Sequence, residues 1–286
     1  MSPLFQEKLS ELVQSALKED IGDGDHTTIS TISPDVHGKA VLKVKDSGVL
    51  AGVEVAEFMF KLMQPDCHFH ALMKDGDPMT SGQIAFEVEG YASVILQCER
   101  LVLNTMQRMS GIATMTSRYV EKLKGLKTKI LDTRKTTPNF RLLEKEAVRI
   151  GGGGNHRFGL YDMILIKDNH IDYCGGIEEA LDRAHRYVCE IKPELKIEVE
   201  ARNLEDVLKI VHSGKADRIL LDNFSVSDLY EAVKMINGKI ETEASGGVNF
   251  ENIREIAETG VDYVSSGALI HQARSLDLSL KAVILS

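Results

Sequence analysis

Beyond residue 128 the chain repeats. Short apolar runs occur at 129–133 (KILDT), 164–168 (ILIKD), 197–201 (IEVEA), 219–223 (ILLDN), 241–245 (ETEAS) and 263–267 (YVSSG). Helix-like stretches lie between them, at 138–150, 176–190, 203–213, 226–237 and 249–259. Ile130, Ile164 and Glu198 are 34 residues apart, and Glu198, Leu220, Thr242 and Val264 are 22 apart. Six βα units at near-regular spacing predict a parallel α/β sheet. No GxGxxG follows the first strand, so the spacing does not suggest a dinucleotide fold. The GGGG of 151–154 follows a helix and precedes a strand, the wrong order for a phosphate loop, and reads as a flexible connection.

Polar residues gather at the C-terminal ends of all six strands. They are Asp132, Arg134 and Lys135; Lys167 to His170; Glu200 and Arg202; Asp222 and Asn223; Ser245, Gly246 and Gly247; and Ser265, Ser266 and Gly267. In an α/β barrel that face holds the active site, and late glycine-rich strand ends bind phosphate through backbone N–H groups. The expectation is therefore an incomplete six-stranded parallel barrel. Six strands are fewer than the usual eight, so an exposed edge needs cover from a partner subunit or from the first domain.

The first part of the chain reads differently. Residues 1–20 form a helix with Leu4, Phe5, Leu9, Leu12, Val13, Ala16 and Leu17 on one face. Strand-like runs follow from about 38 to 100, with a helix at 54–63 and turns at DSG, KDGDP and TSG. Residues 99–123 read as one or two long helices, with Ser110-Gly111 as the place for a break. The fold class expected is α/β: an N-terminal α/β sandwich on an antiparallel sheet, residues 1–110, then the incomplete barrel, 111–270. Residues 271–286 are expected to rejoin the first domain.

Composition narrows the function. The chain has 286 residues, a net charge of −9 and 43% hydrophobic residues. That balance argues against nucleic acid as a partner, and no apolar run suggests a membrane span. The N-terminus lacks the apolar core of a signal peptide. Cys67, Cys98, Cys174 and Cys189 have no CxxC spacing and read as buried thiols of a reducing cytoplasm. The CHFH of 67–70 is better explained by strand alternation than by metal binding. Charge is uneven: residues 127–170 hold nine Lys/Arg against five acids, +4, which leaves −13 for the remainder. Arg141, Lys145 and Arg149 fit a solvated helix face. Arg134, Lys135 and Lys167 do not, because they follow apolar strands directly.

One group of strand ends is thus cationic, with Arg157 just before its strand, the next is acidic, and the last offers small residues. Such a face suits a carboxylate- or phosphate-bearing substrate. Glu200 and Asp222 are expected at equivalent positions of neighbouring strands, where two hard oxygen ligands suit Mg²⁺. Taken singly, either acid reads equally well as a structural ion pair.

The stretch DTRKTTPNFRLLEKEAVRIGGGGNHRFGLYDMILIKDNH, 132–170, resembles the signature of nicotinate-nucleotide pyrophosphorylases, also called quinolinate phosphoribosyltransferases. ERLVLN, SGIAT, IEVEA, LLDNF, EASGGV and SSGALIHQA extend the likeness over nearly the whole chain. His26 in GDGDHTT stands where a hydrophobic residue is expected. The resemblance implies a homodimer with shared active sites, or a higher oligomer. It implies transfer of phosphoribose from phosphoribosyl pyrophosphate (PRPP) to quinolinate with Mg²⁺, without an organic cofactor. The products are nicotinate mononucleotide, CO₂ and pyrophosphate, in NAD biosynthesis. It also implies roles. Thr133, Arg134, His156, Arg157 and Lys167 bind quinolinate, with Arg100 reaching in from the neighbouring subunit. Lys135 serves the PRPP phosphates. Glu200 and Asp222 serve the ribose and the metal, directly or through water. Ser245, Gly246, Gly247 and Ser266, Gly267, Ala268 form phosphate-binding turns.

Thr137 with Pro138 is expected to cap the next helix and aim its N-terminus at the same anions. The competing readings are a related transferase for another ring acid, a Schiff-base lyase using Lys167 or Lys135, and a binding protein without catalysis.

Overall fold

The computed structural model describes residues 1–283, so residues 284–286 of the segment expected to rejoin the first domain lie outside it. The chain forms two compact units. One comprises Met1–Ser117, Thr136–Gly152 and the segment from Ile270; the other comprises Arg118–Lys135 and Gly153–Leu269.

The first unit opens with α1 (Pro3–Ile21), capped by Ser2, and α2 (His26–Thr31), capped by Asp25. On α1, Leu9, Val13 and Leu17 are buried while Leu4 is exposed. Burying each such side chain contributes about 1.5–3 kcal/mol. Next come β1 (His37–Val44), β2 (Gly48–Val49), α3 (Val53–Met63), β3 (His68–Ala71), β4 (Pro78–Met79) and β5 (Ile84–Tyr91). The C-terminal strand β12 (Leu278–Val283) returns to this unit, giving an antiparallel sheet in the order β12-β1-β5-β3. Phe60 of α3 packs on Phe69 and Phe86 of the sheet, with ring centroids 6.2 Å from each.

The long helix α4 (Ala92–Lys122) runs for 31 residues without a break. Ser110 and Gly111 have another task there. The Ser110 hydroxyl ties both the N–H and the carbonyl of Ala51. A side chain at Gly111 would collide with the Arg274 carbonyl. The pair permits close packing rather than a kink.

The second unit is the parallel sheet: β6 (Lys129–Leu131), β7 (Ile164–Ile166), β8 (Ile197–Ala201), β9 (Arg218–Asp222), β10 (Glu241–Ser245) and β11 (Tyr263–Ser265). Its order, β6-β11-β10-β9-β8-β7, is the cyclic order of a barrel opened between its first two strands. After β6 the connection carries α5 (Arg141–Ile150). Then follow α6 (Asp168–Cys174), α7 (Ile177–Glu190), α8 (Leu204–Ser213), α9 (Val226–Ile236), α10 (Ile253–Glu258) and α11 (Ala268–His271). Among the described residues, no helix is long and apolar enough to cross a membrane.

Several expectations need correction. The tetraglycine is not a slack connection. A side chain at Gly151 would strike Ala113 and Thr116, and Gly152 has φ of 89°. Gly154 pairs with the open edge of β6, donating to the Ile130 carbonyl (2.9 Å) and accepting from Asp132 N–H (3.1 Å). The barrel edge is thus partly covered by its own chain. Lys145 is buried rather than solvated, and Cys174 and Cys189 are not buried. Thr137 does not cap α5. Its N–H and hydroxyl both donate to Glu144 (2.8 and 3.0 Å), Asn139 takes a left-handed φ of 61°, and the helix starts only at Arg141. Finally, Glu200 pairs with Leu220, not with Asp222, which lies two residues further along β9.

Candidate active site

At the C-terminal ends of the parallel strands lies a cavity of about 470 Å³. The end of β6 builds its first wall. Asp132 is fully buried and accepts the His156 N–H at 2.9 Å, while the Thr133 hydroxyl accepts the Lys135 N–H at 3.0 Å. The chain therefore turns tightly after the strand, and Thr133, Arg134 and Lys135 all line the cavity. His156 and Arg157 join them from the segment before β7, and Lys167 from its end. Arg157 is buried and donates to the Met163 carbonyl at 3.0 Å. Burial and then the nearby Arg134 guanidinium lower its pKa, the signature of two cations facing space that an anion can fill.

The acidic wall follows. Glu200 and Asp222 line the cavity together, although they are not ladder partners, because residues two apart on a strand face the same side. Burial raises the Glu200 carboxyl, as do Asp222 and Asp168, against Lys167 and a hydrogen bond from the Asp168 N–H. A carboxylate that resists ionisation because others converge on it is part of a donor set that a hard divalent cation would relieve.

The third wall is the turn after β10, with Ser245, Gly246 and Gly247 on the lining. Gly246 has φ of 87°, and a side chain there would collide with Asn223. Only glycine fits. The Asn223 N–H also binds the Ser245 carbonyl (2.9 Å), which locks the ends of β9 and β10 together. From β11, Ser265 reaches the lining, whereas Ser266, Gly267 and Ala268 do not. Ser266 donates its N–H to Leu131 and its hydroxyl to Val248, and the Ala268 N–H binds the Ser266 hydroxyl. Arg100 sits on α4, exposed, without an ion-pair partner among the described residues.

The cavity floor was missed by sequence reasoning. Glu243 lines it, and beneath lies a buried cluster of His156, Glu198, Glu243 and Arg218. The signal was present: IEVEA and ETEAS each place a glutamate two residues before a strand-end polar residue, hence on the same face. Burial is the largest influence on His156 and lowers its pKa, but the Glu198 hydrogen bond and the charges of Glu243 and Glu198 prevail and raise it. Against that pull, the Arg157 N–H donating to Nδ1 at 2.7 Å holds that nitrogen unprotonated. This geometry puts the single proton on Nε2, facing Glu198.

Burial and then Glu198 push the Glu243 carboxyl up to about 7, against His156, Ser265 and Arg218. Its folded pKa thus exceeds the ordinary 4.5, so this group stabilises the fold at low pH and loses that contribution as pH rises toward 7. Relative to Glu243→Gln, the wild type should lose on the order of 3 kcal/mol between pH 4.5 and 7.5. Denaturant titrations at the two pH values measure it, and a pH-independent difference would contradict the assignment.

A cavity at the strand C-termini of an α/β barrel, cationic on one wall, acidic on the next and glycine-lined on the third, marks a barrel enzyme for polyanionic substrates. Comparison with known proteins narrows the class. Residues 25–110 match the family model for the quinolinate phosphoribosyl transferase N-terminal domain, and residues 112–281 match that for the C-terminal domain. The chain is 43% identical over 288 residues to a quinolinate phosphoribosyltransferase [decarboxylating] 1b of Nicotiana tabacum, covering 96% of this chain and 82% of that protein. It is 42% identical over 277 residues to a probable nicotinate-nucleotide pyrophosphorylase [carboxylating] of Bacillus subtilis, covering 97% and 94%. The crystal structure of NadC from Streptococcus pyogenes superposes with a TM-score of 0.91 at 39% identity, covering 100% of this chain and 99% of that one. The chain belongs to the quinolinate phosphoribosyltransferase family.

Proposed function

We propose that this chain joins quinolinate to PRPP, releasing CO₂ and pyrophosphate and giving nicotinate mononucleotide, a step of NAD biosynthesis. The observation that carries the reading is the single cavity with cationic, acidic and glycine-lined walls, in a chain of this family. Arg134, Arg157 and Lys167, with Thr133 and His156, hold the two quinolinate carboxylates. Arg100 adds a cation from the neighbouring subunit of a homodimer. The N–H groups of the Ser245–Gly247 turn hold a phosphate, with Ser266, Gly267 and Ala268 supporting that wall from behind. The two domains are 1–110, rejoined by 271–283 among the described residues, and 111–270, from which residues 136–152 depart to fold with the first unit. The enzyme works in the cytoplasm.

The charges dictate the chemistry. The C1–O bond of PRPP breaks with its electrons going to pyrophosphate, whose growing charge Lys135 offsets. Glu200 and Asp222 orient the ribose hydroxyls and face the positive charge that develops on the sugar. The ring-nitrogen lone pair forms the bond to C1, and the resulting pyridinium stabilises the electron pair left on C2 as the carboxylate departs as CO₂, after which C2 takes up a proton from water. Glu200 and Asp222 would also hold Mg²⁺, directly or through water, and a bound Mg²⁺ neutralises phosphate oxygens. A Schiff-base lysine needs burial or a neighbouring cation to lose its proton. Lys135 and Lys167 are both exposed, so burial does not supply that condition, although Arg134 stands beside Lys135.

The test incubates the protein with quinolinate, PRPP and Mg²⁺ and follows nicotinate mononucleotide and CO₂, with nicotinate in place of quinolinate as the control. Product from nicotinate without CO₂ would point to another ring acid. No product from either would end the proposal. Asp222→Asn should keep its fold, lose roughly tenfold or more in kcat and shift the magnesium requirement upward. Wild-type rates across a magnesium titration would remove the metal and ribose role.

A further inference from the structure

Glu198 is completely buried on β8, two residues before Glu200 and on the same face, yet it is not part of the cavity lining. A buried carboxylate needs a partner. Arg218 would be the obvious one, but its guanidinium donates to Glu243 at 3.0 Å and to Glu241 at 3.1 and 3.3 Å, and stacks 4.2 Å from the Tyr263 ring centroid. The closest contact of Glu198 is His156 Nε2, at 2.9 Å, an ion-pair contact rather than a complete hydrogen bond, with the Arg218 and Arg157 guanidiniums adding charge from further off.

His156 is held from three directions. Its N–H donates to Asp132 at the end of β6, its Nδ1 accepts the Arg157 N–H, and its Nε2 meets Glu198 on β8. The Arg157 contact fixes the peptide that joins the two residues, so the plane of the His156 ring and the course of the Arg157 backbone are set together. We propose that Glu198 is a positioning residue for the ring acid: by pairing its charge with His156 Nε2 it holds His156 and Arg157 in their binding arrangement without touching substrate. The inference rests on the quinolinate-binding role given to His156 and Arg157 above. The phosphate wall is held by a different bond, that of the Asn223 N–H to the Ser245 carbonyl, so the effect of Glu198 falls on one substrate only.

The same atoms admit another occupant. Ligand atoms of His156, Glu198 and Glu243 lie within 4.8 Å of one another, close enough for a divalent metal. The Arg157 N–H on Nδ1 argues against it, because the ring proton then occupies the nitrogen a metal would need.

The test is Glu198→Gln, which keeps shape and an acceptor oxygen but removes the charge. The expected result is a quinolinate Kd raised about tenfold, as for a charged contact reduced to a neutral one, with PRPP affinity within about twofold of wild type. In a His156→Ala background the same substitution should add nothing. Equal weakening of both substrates, unchanged quinolinate binding, or additive losses would each overturn the proposal. Nitrogen NMR of histidine-labelled wild type gives an answer independent of turnover and of the variant's folding. It should show the His156 proton on Nε2 at neutral pH. A proton on Nδ1, or stoichiometric zinc or manganese by elemental analysis of the purified protein, would refute it. If wild-type protein made no nicotinate mononucleotide, the proposed function would fail while the NMR result still judged the Glu198–His156 bond.

Discussion

Arg157→Ala is expected to weaken quinolinate binding by roughly 2–5 kcal/mol, the usual cost of removing one member of a buried charge pair, while PRPP binding changes little. Burial and the nearby Arg134 weigh on its charge more than the carboxylates of Glu198 and Asp162 offset. Its guanidinium donates to the Met163 carbonyl, and Arg134 opposes it. The repulsion between the two guanidiniums, only partly offset at Arg157 by Glu198 and Asp162, is a strain that a dianionic ring acid relieves on binding. The substitution removes that repulsion in the free protein. The melting temperature should therefore hold steady or rise while affinity collapses, as at sites where stability is sacrificed to function. Calorimetry with each substrate and a thermal melt decide it. Unchanged quinolinate affinity, or a loss shared equally with PRPP, would remove Arg157 from the ring-acid site.

The second large effect concerns Arg100. A lone exposed arginine on a helix ordinarily contributes little. Arg100 is exposed, and Leu96 one turn earlier is exposed as well, an arrangement suited to cover by a second subunit. Arg100→Ala and Lys167→Ala should each be nearly inactive alone. Mixed under conditions of subunit exchange, half the dimers become mixed. In each mixed dimer one site carries both lesions and the other carries neither, so about a quarter of wild-type activity should return. If exchange is demonstrated and no activity returns, Arg100 does not serve a neighbour's site.

Much of this was legible in the chain itself. Strands β6 to β11 were marked by apolar runs in regular alternation with helical stretches, because strand and helix periodicity are local properties set by which side chains must be buried. The strand-end groups that line the cavity, from Arg134 to Gly247, were legible for the same reason: in a parallel barrel each strand's C-terminal end opens on one face.

What the sequence could not decide was register and reach. Near-equal spacing suggested that Glu200 and Asp222 stand side by side, but hydrogen bonding pairs Glu200 with Leu220. Parallel strands joined by helices can shift against one another without changing the repeat length, so spacing does not encode the ladder. Ser265 rather than Ser266 faces the cavity, because adjacent strand residues point to opposite sides and only the settled register says which. Gly154 pairing with β6, and Ser110-Gly111 admitting a neighbouring segment instead of bending α4, depend on backbone approaches between distant residues. The buried cluster of His156, Glu198, Glu243 and Arg218 is the extreme case. Its members come from four separate segments of the chain, and the direction of each hydrogen bond follows only when burial removes the water that would otherwise satisfy them.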